Sequence, residues 1–79
     1  MRIDKFLKNS RLIKRRSVSK EACDKGFVFV NDKVAKPGTE VKVNDIIRIE
    51  FGNNTLKARV LDITDSQKKE DAEKMYEVL

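Results

Sequence analysis

The sequence predicts an α+β fold in which two short N-terminal helices pack on a small, bent antiparallel sheet and a C-terminal helix follows. Three observations carry this expectation. Apolar residues recur at three- and four-residue spacing as far as Gly26, and from Phe27 to Leu61 the pattern changes to β-branched and aromatic residues punctuated by turn pairs. Helical spacing then returns at Ala72, Met75, Tyr76 and Leu79. At 79 residues and 9.1 kDa the chain is expected to form one domain, with its core motif in residues 1–52 and the second hairpin strand and last helix in 53–79. Folding at this size buries only about 63% of the unfolded surface, so the core is thin.

Ile3, Phe6 and Leu7 share one helical face, with Arg2, Lys5 and Lys8 elsewhere, which predicts a helix over residues 3–9. Asn9-Ser10 interrupts it, and Leu12 and Ile13 are the next buried pair. Ser17 is the expected N-cap of the second helix, Val18, Ala22 and Cys23 its core-facing candidates, and Gly26 its left-handed stop. Phe27 to Val30 reads as a strand ended by Asn31-Asp32, with a short strand around Lys33 to Ala35 and a break at Pro37-Gly38. Val41 and Val43 alternate before the turn pair Asn44-Asp45. Ile47, Ile49 and Phe51 then share the buried face of a strand, opposite Arg48 and Glu50. Across Gly52-Asn53-Asn54, Leu56, Ala58 and Val60 alternate with Lys57, Arg59 and Leu61 in the partner strand. Asp65 or Ser66 can cap the last helix, whose apolar stripe docks on the sheet or, in a second reading, on a partner protein.

Charge is distributed unevenly. Met1 to Lys20 holds eight Lys or Arg and one acid, Asp4, whereas the remaining residues hold ten cations and twelve acids, so the net +5 sits at one end. Solvated surfaces usually mix signs, and Lys5 to Lys20 contains no acid. Such a cluster neutralises phosphates with release of counterions. Arg15 and Arg16, just before a helix N-terminus, offer an anion two guanidinium groups and unpaired amides.

Other chemistry is poorly served. There is no histidine and a single cysteine, Cys23, so the usual neutral-pH base, an internal disulfide and a Cys/His metal site are all missing. The three glycines are isolated turn residues rather than a phosphate-binding loop. A binding module is expected, without enzymatic activity, cofactor or metal. The lone thiol and the lack of any apolar run near ~20 residues point to a cytoplasmic setting. Membrane-surface binding is disfavoured because the basic helix needs its short apolar stripe for the core.

Arg2-Ile3-Asp4-Lys5-Phe6-Leu7, Arg11-Leu12, Ser17 to Ala22, Gly26-x-Val28-x-Val30-Asn31 and Asn44-Asp45-x-Ile47-x-Ile49 resemble the alpha-L RNA-binding domain, named after ribosomal small-subunit protein four. That resemblance implies an L-shaped surface of two helices and a small sheet that grips structured RNA. The tail pattern Lys68-Lys69-x-x-Ala72-x-x-Met75-Tyr76 is similar to the ribosome-associated quality-control factors within the family. Such factors would bind large-subunit rRNA and peptidyl-tRNA on a stalled, dissociated large ribosomal subunit. There they would assist an RqcH-type tailing factor in adding alanine to the nascent chain. By this resemblance Arg2, Arg11, Arg15 and Arg16 face RNA, supported by Lys5, Lys8 and Lys14; separately, the chain is expected to be a monomer. Asp4 either orients Arg2 or Arg16, accepts from a base, or serves only as a favourable charge at a helix N-terminus. The heat-shock members of the family, which carry a longer basic extension, are the alternative. An RNA-modifying enzyme fragment is disfavoured by the short chain. Two departures from the family pattern, Asp32 and Asn44 in place of glycine, tolerate turn conformations. Phe27 and Phe29, off the buried side of their strand, are assigned to stacking on bases or to packing under the last helix.

Overall fold

The computed structural model describes residues 1–63 and 72–79. Helices α1 (Ile3–Asn9) and α2 (Arg16–Asp24) precede strands β1 (Val28–Val30), β2 (Lys33–Val34), β3 (Ile46–Phe51), β4 (Asn54–Val60) and β5 (Tyr76–Val78). The strands form one sheet in the order β2-β1-β3-β4-β5 with every neighbouring pair antiparallel. Helices and sheet meet over Ile3, Phe6, Leu7, Cys23, Val28, Ile47, Ile49 and Val60, all nearly inaccessible to solvent. Alternation explains the sheet's share of this core. Val28 pairs with Ile49, Val30 with Ile47 and Ile47 with Ala58, so one face is apolar from β1 to β4.

Turn chemistry sets the hairpins. Asn31 and Asp32 both have positive φ, 51° and 68°, the twist a two-residue hairpin loop needs between β1 and β2. Asn44 is at 78°, so both residues that replace family glycines occupy the left-handed region as expected. The Asn31 side-chain amide donates to Asp45 Oδ1 at 3.1 Å while its carbonyl oxygen accepts from the Ile46 amide at 3.0 Å, fastening the two turns together. Gly26, at φ 77°, closes α2: its N–H donates to the Cys23 carbonyl and that of Phe27 to the Ala22 carbonyl, both at 3.0 Å.

Several expectations are corrected. Tyr76–Val78 is a strand, not the end of a helix, and the expected caps Asp65 and Ser66 lie outside the described residues. The exposed backbone of β4 supplies the reason. Val60 pairs with Tyr76 and Ala58 with Val78, and the Leu79 amide donates to the Lys57 carbonyl at 3.0 Å. An unpaired strand edge and β-favouring Tyr and Val outweigh a helical spacing that only Met75 and Ala72 satisfy with full burial. Leu79 is exposed, so no helical stripe runs to the C-terminus.

Helix α2 also starts differently. Its N-cap is Arg15, with no side-chain cap, and Ser17 is exposed one residue inside the helix. Val18 points outward, and Ser19 takes the buried position, with its Oγ donating to the Arg15 carbonyl at 3.1 Å. That local bond makes a serine acceptable in the core. Residues 35–45 contain no named strand; Val41 is buried, Val43 is exposed, and a single bridge joins Arg2 to Glu40. Phe51, at the hairpin end of β3, is exposed rather than buried. Phe29 lies on the sheet face opposite Val28 and Val30, where the Arg48 guanidinium stacks 4.1 Å from its ring centroid. Its cross-strand neighbours there are Val34 and Arg48, which replaces the expected packing under a last helix.

Candidate nucleic-acid interface

The basic N-terminal segment is organised by a buried carboxylate. Asp4 occupies the first turn of α1, and its side chain is only 2% exposed. Its Oδ1 accepts from the Lys5 backbone N–H at 2.8 Å. The other oxygen, Oδ2, accepts from Arg2 Nη2 at 3.2 Å and lies 3.6 Å from Arg16 Nε. The two arginine side chains are 50% and 52% exposed, so each keeps half its surface available while one nitrogen of its guanidinium group is held by the carboxylate. Asp4 therefore links the start of α1 to the start of α2. Of its three expected roles, two have a geometric basis: it contacts both arginines, and it is an acid in the first turn of α1.

The surrounding backbone holds this group in place. The amides of Ile3 and Asp4 donate to the Thr39 and Pro37 carbonyls at 2.8 and 3.3 Å, and the N-terminal amine meets Glu40 Oε2 at 2.9 Å. Gly38 lies close to Arg2: a Cβ there would be 4.0 Å from its Nε. The Pro37-Gly38 break thus forms part of the platform under Arg2. Sequence spacing identified it only as a turn, because its contact with α1 is remote along the chain.

The turn between the helices gathers a second set. Lys8, Asn9, Arg11 and Lys14 line a polar hollow of about 290 Å³. Arg11 has φ 62°, a left-handed conformation that reverses the chain just after α1 and is uncommon for a residue with a Cβ. The Ser10 side chain supports the bend, donating to the Leu7 carbonyl at 3.3 Å and accepting from the Leu12 amide at 3.5 Å. Ile13 is buried beneath it.

The eight expected site residues therefore divide. Arg2, Asp4 and Arg16 come together at the helix starts, and Lys8, Arg11 and Lys14 at the interhelical turn. Lys5 is half-buried on α1 beside Asp4, and Arg15 is exposed in extended conformation as the N-cap of α2. Among the described residues no group of histidine, cysteine and acidic side chains could hold a metal ion, and Cys23 is buried and unactivated. Burial, and then the nearby charges of Asp4 and Asp24, push its thiol up to about 11. Such a thiol is a poor nucleophile at neutral pH.

Comparisons with known proteins identify the family. The S4 domain family matches residues 1–47. The RQC P-site tRNA stabilizing factor of Streptococcus pneumoniae is 56% identical over 79 residues, covering all of this chain and 90% of that protein. The factor of the same name from Listeria innocua is 49% identical over 79 residues, covering 100% and 86%. Among solved structures, the trimeric heat shock protein 15 of Vibrio cholerae superposes with a TM-score of 0.90 at 26% identity, covering 100% of this chain and 81% of that one. Two helices set against an antiparallel sheet, with Asp4 linking the helix starts, thus accompany similarity over the full length, and the chain belongs to the S4-domain family, in the branch of the RQC P-site tRNA stabilizing factors.

Proposed function

We propose that this protein is an RNA clamp of ribosome-associated quality control, binding large-subunit rRNA and peptidyl-tRNA on stalled, dissociated large subunits. There it supports an RqcH-type factor in alanine tailing of the nascent chain. It acts in the cytoplasm as a monomer, and its contribution is position rather than catalysis. The observation that carries the reading is the Asp4 tether. A carboxylate that touches both Arg2 and Arg16 pre-orders two planar, bidentate donors suited to phosphates and base edges. Arg15 lies next to them, and Lys5, Lys8, Arg11 and Lys14 extend the positive surface along α1 and the turn. The printed names of the relatives, which specify P-site tRNA, support the same assignment. The heat-shock reading has weaker support, at 26% identity in the matched structure against 56% for the quality-control relative.

The test is sedimentation of wild type and an Arg15→Ala/Arg16→Ala variant with large subunits, probing each fraction for peptidyl-tRNA. Wild type is expected to travel with tRNA-bearing large subunits and the folded variant to be lost from them. Wild type missing from ribosomal fractions would refute the assignment. If about five of the cations meet phosphates, log K falls against log salt with a slope of roughly −3 to −5. A slope near zero would remove the phosphate clamp.

A further inference from the structure

Helix α1 begins without a side-chain cap. Its N-cap, Arg2, directs its side chain to Asp4, so the first amides of the helix need acceptors from elsewhere. The turn at residues 36–39 provides them: Ile3 N–H donates to the Thr39 carbonyl at 2.8 Å and Asp4 N–H to the Pro37 carbonyl at 3.3 Å. On the other side of Arg2, the Val41 amide donates to the Met1 carbonyl at 2.9 Å, and an isolated bridge pairs Arg2 with Glu40. Residues 39–41 therefore clamp the backbone of Arg2 from both sides. The Arg2 side chain lies beside the same turn, where a Cβ at Gly38 would stand 4.0 Å from its Nε.

Thr39 closes this turn with its side chain as well as its backbone. Its N–H donates to the Lys36 carbonyl at 2.9 Å, while its Oγ1 accepts from the Lys36 N–H, also at 2.9 Å. The first bond is the ordinary closure of a β-turn, which proline favours at its second position. The second needs the hydroxyl. Lys36 is exposed, so a hydroxyl-free residue at position 39 leaves its amide to water and costs the fold little, yet frees the turn to shift beside Arg2. We infer that Thr39 is a positioning residue for Arg2: its hydroxyl fixes the turn that holds the start of α1, and with it the direction in which the Arg2 guanidinium meets RNA. This inference rests on the clamp reading above and adds to it a residue outside the basic segment. Arg16 belongs to α2 and reaches Asp4 from the other helix, so its own backbone is not among those the turn holds.

The test is equilibrium binding of the full chain to purified large subunits carrying peptidyl-tRNA, with urea melts on each variant. Thr39→Val is expected to bind about 2- to 12-fold more weakly, the cost of ordering one rotamer-rich side chain that is no longer held, and Thr39→Ser to bind as wild type does. A merely structural residue would weaken binding whatever stands at position 2. The loss at Thr39→Val should instead vanish in an Arg2→Ala background and persist in an Arg16→Ala background. Wild-type affinity in Thr39→Val, weakened binding in Thr39→Ser, or a loss that persists with Arg2→Ala overturns the inference and leaves the clamp standing. So does loss of folded protein in both Thr39→Val and Thr39→Ala, which would make the hydroxyl a folding element alone. If wild type itself does not bind, the ribosomal reading falls and this inference falls with it.

Discussion

Asp4→Asn separates a carboxylate that positions arginines from one that only sits favourably at a helix N-terminus. The replacement keeps the shape, and its amide oxygen can still accept from the Lys5 N–H that now donates at 2.8 Å. Because Arg2 and Arg16 are half-exposed, they return to water instead of being stranded as buried charges. The folding cost is therefore that of one lost charge-assisted hydrogen bond, from Arg2, and one ion-pair contact, with Arg16, about 1–2 kcal/mol. Binding changes through order. Fixing a rotamer-rich side chain costs about 0.5–1.5 kcal/mol, so two untethered arginines forfeit about 1–3 kcal/mol on meeting RNA. Removing a negative charge about 7 Å from a phosphate returns only about 0.6 kcal/mol in water, and salt screens even that. The net expectation is binding weaker by about 2- to 60-fold at fixed salt, at 1.4 kcal/mol per decade. The assay is equilibrium binding to large subunits carrying peptidyl-tRNA, with urea melts confirming the fold. If the folded variant binds as well as wild type or more tightly, the carboxylate serves merely as a charge at the start of α1, and the pre-ordering argument is refuted.

Two further predictions concern the scaffold. Gly26→Ala meets no heavy atom within 4 Å, so its cost is confined to φ 77° and amounts to about 1 kcal/mol, lowering Tm by about 4–8 °C while particle binding below the melt is unchanged. Thermal melts check it, and an unaltered Tm would show that the α2 terminus relaxes away from the left-handed conformation. Cys23 contributes a pH dependence. Its folded pKa, raised to about 11 from an ordinary value of 9.0, means that the folded chain retains the proton longer. The associated stability is complete below about pH 9 and is lost as pH rises through about 11, a difference of roughly 2–3 kcal/mol. Urea melts of wild type against Cys23→Ala between those limits should converge or cross with rising pH; parallel curves would contradict a buried thiol.

Much of the fold is legible along the chain. The 3.6-residue spacing of Ile3, Phe6 and Leu7 and the stop at Gly26 mark out the helices, and alternation over Ile47, Ile49, Ala58 and Val60 marks the buried face of the sheet. The candidate site is legible as a concentration of cations, because charge needs no folding to be counted. Its division into an Asp4-centred group and an interhelical hollow is not, since Asp4 and Arg16 become neighbours only when α1 packs on α2.

The sequence alone determined what acts over a few residues: helix and strand periods, left-handed turns at Asp32 and Asn44, and the positive N-terminal segment. Tertiary structure decided whatever depends on a distant partner. Tyr76–Val78 becomes a strand because β4 leaves an edge for it to complete, Ser19 rather than Val18 is buried because α2 packs with its Ser19–Cys23 side inward, and Phe29 faces Arg48 because β1 pairs with β3. Local propensities differ by fractions of a kcal/mol per residue, while completed strand pairing and burial of a contiguous face contribute several. Where the two disagree, the long-range contacts prevail.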